Sequence, residues 1–83
     1  GEEFVVIMPE TVLAGARDAA EKIRRTIEKI EFVYREETVK VTVSIGLTEV
    51  EKTDETHQKV FERADIALYQ AKKNGRNQVV ASN

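Results

Sequence analysis

The sequence has no cysteine, one proline, one histidine and four glycines among its 83 residues. Without cysteine it can form neither a disulfide framework nor a thiolate metal site, which is compatible with a reducing cytoplasm. No apolar run approaches the ~18–20 residues of a membrane span, and no signal peptide is visible. The expectation is a cytoplasmic domain, whose parent protein can still be membrane-anchored through other segments. An excess of one charge is missing too: 13 basic against 15 acidic residues leave a formal net charge of −2. That balance argues against broad electrostatic capture of nucleic acid. His57 stands among Thr56, Gln58 and Lys59 with no second ligand type beside it, and reads as a solvated surface residue. What is present, 41% hydrophobic and 34% charged residues, suits one small folded domain rather than a disordered chain.

Residues Phe4 to Met8 form a continuous apolar run ended by Pro9, as in a strand buried on both faces. Thr11 is placed to cap a helix. Leu13, Ala16, Ala20, Ile23, Ile27 and Ile30 then recur at spacings of three and four, the core stripe of a helix of about five turns. Arg17–Glu21, Asp18–Lys22 and Arg24–Glu28 are opposite charges four apart on its outer face. From Val39 to Leu47 the period changes to two, which predicts one half-buried strand. Phe32-Val33-Tyr34 is a shorter strand before it, joined through residues 35–38 as a hairpin. Gly46 interrupts the polar face, where a bulge or a close backbone approach is expected.

A polar loop follows, with Thr53 or Asp54 as the expected cap of a second helix. Val60, Phe61, Ala64, Ala67, Leu68 and Ala71 fall on one side of that helix, and Asn74-Gly75 is a strong stop. Gln78 to Ala81 reads as a last short strand. The predicted order is strand, helix, hairpin, helix, strand: an α/β (α+β) arrangement with an antiparallel-leaning sheet and helices packed over it. No internal repeat or low-complexity segment interrupts it.

Two places can carry chemistry. Glu2 and Glu3 sit at the head of the Phe4–Met8 run, and neighbouring residues there diverge. One carboxylate can then bind a hard cation together with substrate phosphate oxygens, while the other acts as general base on a sugar hydroxyl. The dipeptide alone reads more readily as two solvated glutamates. Lys72, Lys73 and Arg76 surround the Asn74-Gly75 stop. They can simply complement a helix C-terminus, or they can grip a polyphosphate, the lysine as a point charge and the arginine as a planar fork. Taken alone, that cluster leaves both readings open.

Read together, these segments resemble one family. Gly1-Glu2-Glu3-Phe4 is similar to the last four residues of the GGDEF/GGEEF motif of diguanylate cyclases. Val41 to Gly46 resembles an internal strand of that family, and Arg63 through Asn77 its C-terminal helix and exit. The resemblance implies a domain related to the palm of nucleotide cyclases and polymerases. It implies condensation of two GTP molecules to cyclic di-GMP with release of pyrophosphate, using Mg2+ or Mn2+. It would place Gly1 in the turn that approaches the nucleotide, Glu2 as the group that deprotonates the ribose 3′-hydroxyl, and Glu3 on the metal. Lys72 and Arg76 would hold GTP phosphates. A homodimer would be the catalytic unit, with sensor domains outside this chain and no nucleic acid as partner.

The resemblance also implies that residues 1–83 are the C-terminal portion of a single domain. The family's first half has no counterpart here: neither the strand with the other metal-binding aspartate, nor the guanine-contacting segment, nor the RxxD inhibitory site. The expectation is that these residues alone are inactive and leave an apolar face and backbone edges uncovered, prone to association. An alternative is a degenerate module that binds GTP or a protein partner and regulates without catalysis. A stand-alone interaction module with an accidental motif is a third.

Overall fold

The structure, a computed structural model, describes residues 12–51 and 54–82. The expected strand at Phe4–Met8, the Thr11 cap, and Gly1, Glu2 and Glu3 lie outside the described residues. The rest is a mixed helix and strand fold, as expected. Its elements are α1 (Leu13–Lys29), β1 (Glu31–Tyr34), β2 (Glu37–Lys40), β3 (Ile45–Thr48), α2 (His57–Lys73) and β4 (Val79–Ser82).

The two helices follow their apolar periods, with corrections at the caps. Val12 occupies the N-cap position of α1 and offers no side-chain cap. At α2 the cap is Thr56, whose Oγ accepts from the Lys59 amide at 3.3 Å. Asp54 is not the cap and is engaged with Arg63 instead, while Thr53 lies outside the described residues. Of the expected ion pairs, Arg24–Glu28 is present at 3.6 Å. Glu21, however, turns to Arg24 and Arg25 rather than to Arg17. Arg24 and Arg25 lie one turn further along the helix and reach it from the i+3 and i+4 positions.

The alternating stretch from Val39 is not one strand. β2 ends at Lys40 and β3 begins at Ile45, because the two halves pair with different partners. β2 is antiparallel to β1, with Phe32 opposite Val39 and Tyr34 opposite Glu37. β3 is parallel to β4, with Ile45 opposite Val79 and Leu47 opposite Ala81. Periodicity reports which face a residue occupies, and it persists while the ladder changes partner. The hairpin turn is also tighter than expected: only Arg35 and Glu36 lie outside the strands, with φ of 50° and 68°. Two consecutive positive φ values are the geometry of a type I′ turn, whose twist matches that of the flanking strands.

The β3–α2–β4 segment is a parallel crossover unit, and both helices pack on the β3–β4 pair. Gly46 is where α2 comes closest. A Cβ there would meet the Leu68 amide nitrogen and lie 2.5 Å from the Ala64 carbonyl oxygen and 2.7 Å from the Leu68 Cα. The close approach expected from the sequence is therefore present, and small residues on α2 match it: Ala67 and Ala71 are fully buried. Ala20 of α1 and Val79 of β4 are the other buried apolar residues among those described. The rest of the predicted stripes is partly open: Ile23 is 46% and Phe61 47% exposed. The β1–β2 hairpin is exposed along its whole length.

Candidate functional site

The best-defined part of the candidate site is the exit from α2. The helix ends at Asn74 (φ −82°, ψ 12°) and Gly75 adopts φ +114°. The Arg76 amide donates back to the Ala71 carbonyl at 3.0 Å, and the Asn74 amide to the Gln70 carbonyl at 2.8 Å. This is a Schellman closure, with the second residue past the cap bonded to the third residue before it. The Asn74-Gly75 stop is thus in the role that its composition predicts.

The chain does not return to ordinary geometry after the glycine. Arg76 has φ 64° and Asn77 has φ 48°, so three consecutive residues are left-handed. For a residue with a Cβ this conformation costs about 1–2 kcal/mol, although asparagine tolerates it better than most. The surrounding contacts offset that cost. The Gln78 side-chain amide donates to the carbonyls of Asn74 at 3.0 Å and Arg76 at 3.2 Å. The Asn77 amide donates to Ser44 Oγ at 3.0 Å. The Asn77 side chain accepts from Arg24 Nη1 at 2.9 Å and donates to Glu28 on the same helix.

Lys72 and Arg76 are both exposed at this end of α2, with Lys73 beside them in the last turn. Cations there complement the negative end of the helix dipole, and they also compensate for its repulsion of a bound anion. The structure therefore brings Lys72 and Arg76 to one end of one helix, as the sequence predicts. The relation of this end to Gly1, Glu2 and Glu3 lies outside the described residues. Among the described residues, no group of three histidine or acidic side chains is placed to hold a metal ion.

A shallow concavity lined by Asp65, Leu68, Tyr69 and Lys72 runs along α2 toward this exit. A larger one, lined by Val50, Asp54, Thr56, His57 and Val60, lies at the opposite end of the helix. Fifteen residues separate His57 from Lys72, about 22 Å of helix, so this larger concavity is not part of the basic exit. His57 itself is exposed, as its sequence surroundings suggest.

Beside that larger concavity is a polar clamp that sequence reading missed. Arg63 binds both Asp54 oxygens, at 2.7 and 2.8 Å, as well as Thr48 Oγ at 2.7 Å and the Glu49 carbonyl at 2.6 Å. Hydrogen bonds from Arg63, and then from the Glu51 amide, lower the Asp54 carboxyl from 3.8 to about 2. The hydrogen bond with Asp54 raises the Arg63 guanidinium in turn. Arg63 and Asp54 are nine residues apart across a loop, outside any i, i+4 pattern, so no local spacing announces the pair. Asn77 was equally silent in the sequence, although an asparagine two residues past a glycine stop tolerates left-handed backbone.

The sequence matches the family model described as "Diguanylate cyclase, GGDEF domain" over residues 1–78. It is 40% identical over 82 residues to Diguanylate cyclase A of Treponema denticola, covering 99% of this chain and 22% of that protein. It is 45% identical over 82 residues to Response regulator PleD of Caulobacter vibrioides, covering 96% of this chain and 18% of that one. The chain thus spans about a fifth of the length of these relatives. Its fold superposes on the GGDEF domain of DgcB from Caulobacter crescentus, solved in complex with c-di-GMP, with a TM-score of 0.83 and 32% identity. That match covers 89% of this chain and 44% of the other. Together with the helix–strand arrangement and the basic exit of α2, these matches show that the chain belongs to the GGDEF family of diguanylate cyclase domains.

Proposed function

We propose that this chain is the C-terminal portion of a GGDEF domain that condenses two GTP molecules to cyclic di-GMP. The observation that carries the reading is that the match to the family model, over residues 1–78, takes in Gly1, Glu2, Glu3, Lys72 and Arg76 together. In this reaction the 3′-oxygen of each GTP attacks the α-phosphorus of the other. Two new phosphodiester bonds form and two pyrophosphates leave. Glu2 takes the ribose 3′-hydroxyl proton as general base, and Gly1 lets the backbone approach the nucleotide. Lys72 and Arg76 grip the phosphates.

The carboxylate of Glu3 is a hard oxygen donor of the kind Mg2+ or Mn2+ prefers, and it would hold the ion with ligands from elsewhere in the protein. A divalent ion bound there supplies charge neutralisation on the phosphates. Each domain presents one GTP, so the working unit is a homodimer. Residues 1–83 alone are inactive on this reading. The retention of Glu2, Glu3, Lys72 and Arg76 favours catalysis over a degenerate regulatory module.

The test is the full-length protein with GTP and Mg2+, beside its Glu2→Gln and Glu3→Gln variants. Cyclic di-GMP formation by the parent and a loss of at least a hundredfold in each variant support the reading. Undiminished turnover in both variants contradicts it.

A further inference from the structure

The backbone at Arg76 is fixed from both sides while its side chain is exposed. Its amide is bonded to Ala71, its carbonyl to Gln78, and the next amide, that of Asn77, to Ser44. Asn77 also ties this turn to α1 through Arg24 and Glu28. Arg24 and Glu28 pair with each other at 3.6 Å, so asparagine's acceptor and donor meet a matched cation and anion. A Schellman closure needs one left-handed residue, Gly75. Here two more follow, and neither is a glycine. The contacts that hold Asn77 come from α1 and from the segment just before β3, not from α2 itself.

We propose that Asn77 is a positioning residue for Arg76. With Ser44, Arg24 and Glu28 it holds the left-handed turn from which the Arg76 side chain projects, and so sets the geometry in which Arg76 meets a nucleoside polyphosphate. This rests on the reading that Arg76 grips phosphate. A guanidinium recognises phosphate as a planar fork and is sensitive to its angle of approach, so a turn released from its anchors weakens the grip without removing the charge.

The experiment is a double-mutant cycle in the full-length protein, read as the affinity for 3′-deoxy-GTP, which binds but cannot condense. Arg76→Ala is expected to weaken binding roughly tenfold or more, the scale of one charge-assisted hydrogen bond. Asn77→Gly keeps the left-handed backbone accessible and the amide bond to Ser44, but removes the side-chain anchors to Arg24 and Glu28, and is expected to weaken binding roughly threefold to tenfold. The double variant is expected to bind no worse than Arg76→Ala alone. Affinity for 3′-deoxyguanosine, which has no phosphate, is expected to be unchanged in all three.

Additive losses in the double variant, or equal losses for nucleotide and nucleoside, would overturn the proposal. Unchanged affinity in Arg76→Ala defeats the phosphate-gripping reading itself. A loss in Arg76→Ala with none in Asn77→Gly defeats only the positioning role. Should Asn77→Gly fail to fold, Ser44→Ala, which removes a single anchor, takes its place in the cycle and is judged by the same criteria.

Discussion

Arg63 holds Asp54 with both arms of its guanidinium, Nη1 to Oδ1 at 2.7 Å and Nη2 to Oδ2 at 2.8 Å. The remaining donors reach Thr48 at the end of β3 and the Glu49 carbonyl just beyond it. One side chain on α2 thereby fastens the strand end and the loop that leads into the helix. Asp54 accepts the Glu51 amide as well, at 2.7 Å, which closes the loop on itself.

Arg63→Lys is expected to lower the unfolding midpoint although the charge is kept. A lysine ammonium cannot form the two parallel bonds, nor reach Thr48 and Glu49 at the same time. Arg17→Lys on the exposed face of α1 is the control and is expected to leave the midpoint within error. Equal effects from the two changes would deny the clamp any structural role.

The pH dependence follows from the sign of the Asp54 shift. Its folded-state value, about 2, lies below the ordinary 3.8. The carboxylate's contribution is therefore complete above about pH 4 and is lost as pH falls through about 2. The difference in urea midpoint between the parent and Asp54→Asn is expected to be constant from pH 7 to 5 and to narrow below pH 4. A difference that widens on acidification would reverse the assigned sign.

Gly46 and Gly75 are needed for different reasons, and alanine at each separates them. Gly46→Ala drives a Cβ into the backbone of α2 at Ala64 and Leu68, and is expected to cost about 1–3 kcal/mol or more because backbone cannot step aside as a side chain can. Gly75→Ala meets no atom within 4 Å, so its cost is conformational, about 1 kcal/mol. Chemical denaturation of the two variants checks the order, Gly46→Ala being the more damaging.

These positions also show what the sequence made legible. The helices, the hairpin, the Gly46 contact and the Asn74-Gly75 stop are local signals, set by period and by backbone permissiveness, and each is found in the structure. The division of residues 39–47 into β2 and β3 was not legible, because alternation is the same whichever strand lies alongside. Arg63–Asp54 and Asn77–Arg24 were invisible for a related reason: they join segments that only the folded topology brings together. Of the candidate site, Lys72 and Arg76 were read from residue type beside a helix stop. The left-handed turn that carries Arg76 has no signature in charge or hydropathy.

The β1–β2 turn offers a stabilising change. Arg35 and Glu36 are both left-handed, and the Arg35 guanidinium lies over the Tyr34 ring at 5.3 Å. Replacing the pair by Asn-Gly suits a type I′ turn and is expected to stabilise the hairpin by about 1 kcal/mol. Since the hairpin packs chiefly on itself, slower hydrogen exchange of β1 and β2 amides is the expected readout, with little change in α2. Faster exchange in the hairpin would argue against the turn assignment.

The mass of the product formed when the full-length protein is incubated with GTP and Mg2+ decides whether the domain is a diguanylate cyclase. Cyclic di-GMP with two pyrophosphates for each molecule formed is expected, and loss of that product in Glu3→Gln. GTP left intact, converted only to GDP, or turned over equally well by Glu3→Gln would contradict that reading.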